Sequence, residues 1–140
     1  MQFPSPEVQA FATGFPVTLL HVGVTLALLV AASGVYIMLT PHREITLIRE
    51  GNTAAAVSMA GVLLGLAIPL AASLKASTSL VDLGIWGVST LVVQLLISRG
   101  VDLVLHGLPR RIQDGEIAAA TVLAGAKIAT ALVLGAAVSG

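Results

Sequence analysis

An all-α integral membrane protein, with four transmembrane helices built as two parallel tandem helical-hairpin repeats, is the fold class this sequence predicts. Three observations carry that expectation: an extreme apolar composition, four long apolar stretches, and a self-similarity at one fixed offset. Of the 140 residues, 56% are hydrophobic and 10% are charged, with a mean hydropathy of +1.00. Water-facing domains carry roughly a quarter charged residues, so this chain has too few to coat a wet surface. It is also too short to hide so much apolar sequence in a soluble core. The lipid bilayer is therefore its first partner. A formal net charge of zero gives no footprint for nucleic acid. With no Cys, disulfides and thiolate metal sites are excluded.

A hydrocarbon core of about 30 Å needs roughly 20 helical residues. Four stretches qualify, at about 17–39, 53–74, 80–98 and 117–138, each with at most one ionisable residue besides an interfacial His. The first is longer than a signal-peptide core, and no basic segment precedes it, so it is expected to be retained as a span. The repeats then cover about 15–74 and 79–138 within one membrane domain.

Positive charge sets the orientation. Arg43 and Arg49 follow the first span, and Arg99, Arg110 and Arg111 follow the third. Those two loops share a side, which the positive-inside rule places in the cytoplasm, with both termini periplasmic. Phe3, Phe11, Phe15 and Trp86 read as aromatic anchors at one interface and Tyr36 as an anchor at the other.

The repeat emerges at an offset of 64 residues without gaps. Residues 48–61 lie over 112–125, with seven of fourteen pairs identical. Ala-rich helices match cheaply, so the stronger sign is the shared step Glu50-Gly51-Asn52 over Asp114-Gly115-Glu116 before each Ala run. Gly23-Val24-Thr25 over Gly87-Val88-Ser89 adds the odd spans. Two spans per copy give both copies one orientation, about an axis along the membrane normal.

Several residues are candidates for function. Glu50, Asn52, Asp114 and Glu116 stand where helix N-termini need capping, since the first N–H groups lack partners there. Their acids could alternatively concentrate cations at an entrance. Lys127 lies eleven residues past Glu116, roughly 16 Å at helical rise, close to mid-membrane. A charge at that depth costs about 2.5–3.5 kcal/mol or more, so it should face protein or water, or snorkel. No carboxylate is expected at its level; Asp82 is the nearest acid by depth, and Thr25, Ser89 and Gln94 are the expected polar neighbours along a path. Its repeat counterpart is Leu63, so the halves differ there.

Gly61 and Gly65 form a GxxxG step, extended by Ala54 and Ser58, with Gly125 and Ala129 expected at the matching packing positions of the fourth span. Pro69 should free the carbonyl of Gly65 and kink the second span. Arg99 and Asp102 have the i,i+3 spacing of a helical ion pair. His21, His42 and His106 are scattered, without metal-ligand spacing, so no metal or cofactor is expected. The segment 43–50, and 99–113 after the third span, should lie along the cytoplasmic surface and offer docking area for a protein partner.

The run 43–56 (Arg-Glu-Ile-Thr-Leu-Ile-Arg-Glu-Gly-Asn-Thr-Ala-Ala-Ala) is distinctive. Together with Gly-Leu-Ala-Ile-Pro-Leu-Ala at 65–71, Asp82 and Trp86 ahead of Gln94, and Asp-Gly-Glu-Ile-Ala-Ala-Ala at 114–120, it resembles the YjfL family of bacterial inner-membrane proteins. That resemblance covers nearly the whole chain from the first span. It implies four spans, a bacterial inner-membrane location and a link to envelope stress or polyamine enzymes, with no assigned activity. Lys127 falls where a small residue is expected in that family. The function expected first is a small homo-oligomeric channel or permeation subunit for ions or small solutes, with Lys127, Gln94, Thr25 and Ser89 along the path. The alternative is a non-transporting scaffold that recruits a cytoplasmic stress-response or polyamine-related protein. No nucleophile–base pair is visible, so an enzyme is not expected.

Overall fold

A computed structural model describes residues 3–40, 43–76 and 79–140. Among these residues the chain forms α1 (Pro6–Leu39), α2 (Glu44–Arg49), α3 (Thr53–Ala76), α4 (Leu80–Leu105), α5 (Leu108–Gln113) and α6 (Ile117–Ser139). The four long helices, α1, α3, α4 and α6, are each long and apolar enough to cross a membrane. Two depart from the expected bounds. α1 begins at Pro6 because Pro suits the first helical turn, and Phe11 and Phe15 continue it as a stacked i,i+4 pair with centroids 4.8 Å apart. Its 34 residues span roughly 50 Å at helical rise, more than a hydrocarbon core needs. α4 stays helical through Arg99 and Asp102 and stops at His106 and Gly107, both with positive φ.

The packing is centred on α3. Gly61 lies so close to α6 that an added Cβ would sit 2.5 Å from Ala124 Cα. Further along, Gly135 meets Ile68 and Ala72. Both numbers rise together, so α3 and α6 run parallel. α4 runs opposite to α3, since Gly65 meets Gln94 while Leu70 meets Gly87. α1 is the outer helix; Ser33 and Tyr36 are its buried residues. The two glycines of the GxxxG step thus serve different neighbours, α6 for Gly61 and α4 for Gly65. Of the two contacts that Gly125 and Ala129 suggest, between the halves or between subunits, the first is not made: both are exposed, and a Cβ on Gly125 would meet nothing within 4 Å. One residue is 100° of helix rotation, and it is Ala124 that faces Gly61.

Both short helices lie at one end of the bundle. Ala54 and Ala55 of α3 and Ala119, Ala120 and Leu123 of α6 form a core with Leu108 and Ile112 of α5, flanked by Leu47 and Ile48 of α2. Each short helix ends in a Schellman turn. In one, Gly51 (φ +86°) donates to Ile48 and Asn52 to Leu47; in the other, Gly115 (φ +82°) donates to Ile112 and Glu116 to Arg111. Positive φ explains glycine at both positions.

Candidate functional site

Lys127 sits near the middle of α6 and is fully buried. A helical side chain points back toward its own N-terminus, so the lysine stem rises toward the end carrying α2 and α5. Its ammonium end enters a cage made by other helices. Nζ donates to the Tyr36 hydroxyl of α1 and, at 2.6 Å, to Ser98 Oγ of α4. It lies 3.9 Å from the centroid of the Tyr36 ring and 3.5 Å from the Gln94 carbonyl. Tyr36 OH and Ser98 Oγ are 2.5 Å apart, and Ser98 donates in turn to the Gln94 carbonyl at 3.0 Å. The hydroxyls therefore form one connected cluster with the amine, which keeps the cost of burial down.

Tyr36 was expected at the membrane interface and is instead completely covered. Its depth is right, three residues before the end of α1, but its side chain points into the bundle. The segment 43–50, expected along the cytoplasmic surface, turns one acid inward. Glu44, the first residue of α2, is fully buried, and its Oε1 accepts from Ser58 Oγ of α3 at 3.2 Å. Asp82, the acid expected nearest, is exposed at the opposite end of α4.

Gln94 is the expected polar neighbour that the fold does bring to Lys127. It is fully buried, and its Nε2 donates to the carbonyls of Gly65 at 3.0 Å and Lys127 at 3.1 Å. The Gly65 carbonyl is the one Pro69 cannot serve, because Pro lacks the N–H that would return to residue i−4. A side chain from α4 takes the place of that lost backbone donor. Gln94 Oε1 has no hydrogen-bond partner among the described residues, and neither do the buried hydroxyls of Ser33 and Ser73.

The other two path candidates point away. Thr25 lines an outward groove of about 180 Å³ with Val22, Leu26, Ala67 and Leu70, and its hydroxyl returns to the His21 carbonyl at 2.7 Å. Ser89 is exposed, while its neighbour Thr90 is the residue turned inward. His42 lies outside the described residues.

At the α2–α5 end, the expected caps divide. Asn52 is a true cap: its Oδ1 accepts the Ala55 N–H at 2.9 Å. Its Nδ2 donates to the carbonyls of Ile112 and Gln113, tying the start of α3 to the end of α5. Glu50 and Asp114 do not cap the starts of α3 and α6; they occupy the C-cap positions of α2 and α5 and are exposed. Glu116 occupies the N-cap position of α6, yet its carboxylate turns to Arg111, accepting from Nε at 2.7 Å and from the neighbouring guanidinium nitrogen. That guanidinium holds the Glu116 carboxyl below the usual carboxylate range. Arg111 also donates to the Leu105 carbonyl at 2.8 Å. Asp102 does not pair with Arg99 as its spacing predicted; it accepts the Leu108 N–H at 2.7 Å and so fixes the turn between α4 and α5. Beside Asn52 lies a polar cleft of about 300 Å³ lined by Arg43, Thr46, Leu47, Glu50 and Gln113.

Comparison with known proteins places the chain. A family model described as Domain of Unknown Function (DUF350) matches residues 10–138. The UPF0719 inner membrane protein YjfL of Escherichia coli K12 is 38% identical over 95 residues, which cover 68% of this chain and 72% of that protein. The protein of the same name from Escherichia coli O157:H7 matches to the same extent. No solved structure matches. The chain belongs to the DUF350 family.

Proposed function

We propose that this DUF350 member is a small multi-pass inner-membrane permeation subunit that moves charge through the polar interior of its own helix bundle. The fully buried Lys127, caged by Tyr36, Ser98 and Gln94 in the middle of four apolar helices, is the observation that carries this reading. Ionisable groups sealed inside apolar helices are expensive, even where the stem carries the amine toward one end, and function is their usual justification. The four residues expected along the path divide. Lys127 and Gln94 turn inward, so a second copy is not needed to surround them, whereas Thr25 and Ser89 leave the path and face lipid or another copy of the chain in a homo-oligomer. The relatives named as inner-membrane proteins support that membrane as the location. The five arginines at the α2–α5 end support placing that end in the cytoplasm and both termini in the periplasm.

A tandem duplication is part of the same reading. Shifting α2 and α3 by 64 residues superposes their starts on those of α5 and α6, and the two Schellman turns are equivalent at the same shift. The working site is where the copies differ: Glu44, Ser58 and Tyr36 of the first half correspond to Leu108, Val122 and Gly100, while Lys127 corresponds to Leu63.

The test is flux from purified protein in liposomes over a range of salts and potentials. Wild-type flux above protein-free vesicles is expected. The absence of any flux, with a cytoplasmic protein co-purifying, would favour the scaffold reading. The polar cleft of Arg43, Thr46, Leu47, Glu50 and Gln113 supports that second reading. Neither reading involves enzymatic chemistry or a cofactor.

A further inference from the structure

We infer that the species moved is the proton, and that the Lys127 amine is the group that carries it across the middle of the bundle, Glu44 serving the α2–α5 side and Ser73 the other. This rests on the permeation reading above and names its substrate.

Size is the first argument. Lys127, Gln94, Glu44, Ser58 and Ser73 are all sealed from solvent. Around them the helices are in contact at backbone distance, Gly61 against Ala124 and Gly65 against the Gln94 amide. A hydrated or bare metal ion would have to part these helices. A proton moves along hydrogen bonds without displacing any heavy atom.

Connectivity is the second. Lys127 Nζ, Tyr36 OH and Ser98 Oγ form a continuous hydrogen-bonded set. On its α2 side stands Glu44, fully buried, whose carboxylate accepts from the Ser58 hydroxyl of α3. On the other faces α3 offers Ser58 and Gly65, α4 offers Ser98 and Gln94, and Arg99, next to Ser98, is exposed.

The third argument is the placement of the unpartnered polar atoms. Ser33 Oγ, Gln94 Oε1 and Ser73 Oγ are buried without hydrogen-bond partners among the described residues. Ser33 lies one helical turn before Tyr36, Gln94 is level with Lys127, and Ser73 lies two turns of α3 beyond Gly65 toward the far end. Buried polar groups that lack partners carry a standing cost, which a transient water relieves. These atoms lie on the side of the amine away from α2 and can hold such waters.

The transfer balances without a co-reactant. A proton from the Glu44 side bonds to the Nζ lone pair of the neutral amine, giving an ammonium. The ammonium then releases one N–H proton to an acceptor on the Gln94–Ser73 side and regains its lone pair. No other bond changes, and one proton has crossed.

The experiment is proteoliposome flux with the full chain, comparing an internal pH dye against potassium and chloride readouts. Wild-type protein is expected to pass protons at least tenfold faster than potassium or chloride. Lys127→Met should reduce proton flux at least tenfold. Ser73→Ala, which deletes a hydroxyl without a hydrogen-bond partner among the described residues and is expected to leave folding intact, should reduce it several-fold. Wild-type proton flux in folded Lys127→Met overturns the inference; so does wild-type flux in Ser73→Ala, even if Lys127→Met fails to fold. Potassium or chloride flux exceeding proton flux overturns the inference while leaving permeation standing. Absence of every flux from wild-type protein overturns permeation itself, and the inference with it.

Discussion

Replacing Gly61 by Ala tests the packing on which the buried site depends. The new methyl carbon would sit 2.5 Å from Ala124 Cα and 2.7 Å from Ala124 Cβ. Neither atom is the end of a flexible side chain, so α3 and α6 must separate by roughly 1 Å to reach ordinary contact. Overpacking of this kind costs about 1–3 kcal/mol. The better helix propensity of Ala returns up to about 1 kcal/mol, so Gly61→Ala should lose about 1–2 kcal/mol overall. Gly125→Ala is the control on the same pair of helices. Nothing lies within 4 Å of its added carbon, so it should be neutral or slightly stabilising. Adding Ala124→Gly to Gly61→Ala removes the 2.7 Å contact but leaves the 2.5 Å contact with the backbone, so rescue should be partial. The assay is reversible unfolding in mixed micelles, read by circular dichroism for wild type and the three variants. Equal losses for Gly61→Ala and Gly125→Ala, or full rescue by Ala124→Gly, would refute the assigned α3–α6 interface.

Further outcomes follow from individual contacts. Gln94→Leu should destabilise by about 1–2 kcal/mol, because two buried carbonyls lose their donor. In a Pro69→Ala background that loss should shrink, since residue 69 then supplies an N–H to Gly65; an unchanged loss in the same unfolding assay would argue against the substitution of side chain for backbone. Asn52→Ala should cost about 1–2 kcal/mol through the lost cap and the lost tie to α5, measured as a lower unfolding midpoint. The Arg111–Glu116 pair lowers the carboxyl below 4.5 in the folded state, so its contribution is present above the unfolded value and disappears as pH falls through the folded one. Glu116→Gln should abolish that part of the acid sensitivity. A wild-type stability profile in Glu116→Gln from pH 6 to pH 3 would count against it.

Much of the architecture could be read from residue order alone, because hydropathy is a local property. Length and apolarity placed α3 and α6 within a few residues, and the acidic-Gly steps marked both sharp turns. Side-chain direction was harder to read. Tyr36 sits at the depth an interfacial anchor would occupy, and only the packing of α1 against α4 turns it inward. Glu44 opens a segment whose mixed charge suggested a surface helix, yet α2 docks under α3 and carries that carboxylate into the core. Since Glu44 meets Ser58 of α3 only through tertiary packing, no spacing rule announces the pairing. Gly125 shows the same limit in rotation: the small-residue match with Gly61 was real in sequence, but the neighbouring Ala124 holds the facing position. Gln94 was legible because a buried amide in an apolar span has few reasons to exist, and Pro69 supplies one of them.

The claim that charge passes within each protomer is tested most directly by mixing. Wild-type and Lys127→Met chains are combined in known ratios, reconstituted, and proton flux is measured against the wild-type fraction. A path inside each bundle predicts a straight line, each wild-type chain contributing independently. A flux that falls as a steep power of the wild-type fraction would place the path between subunits and contradict the account.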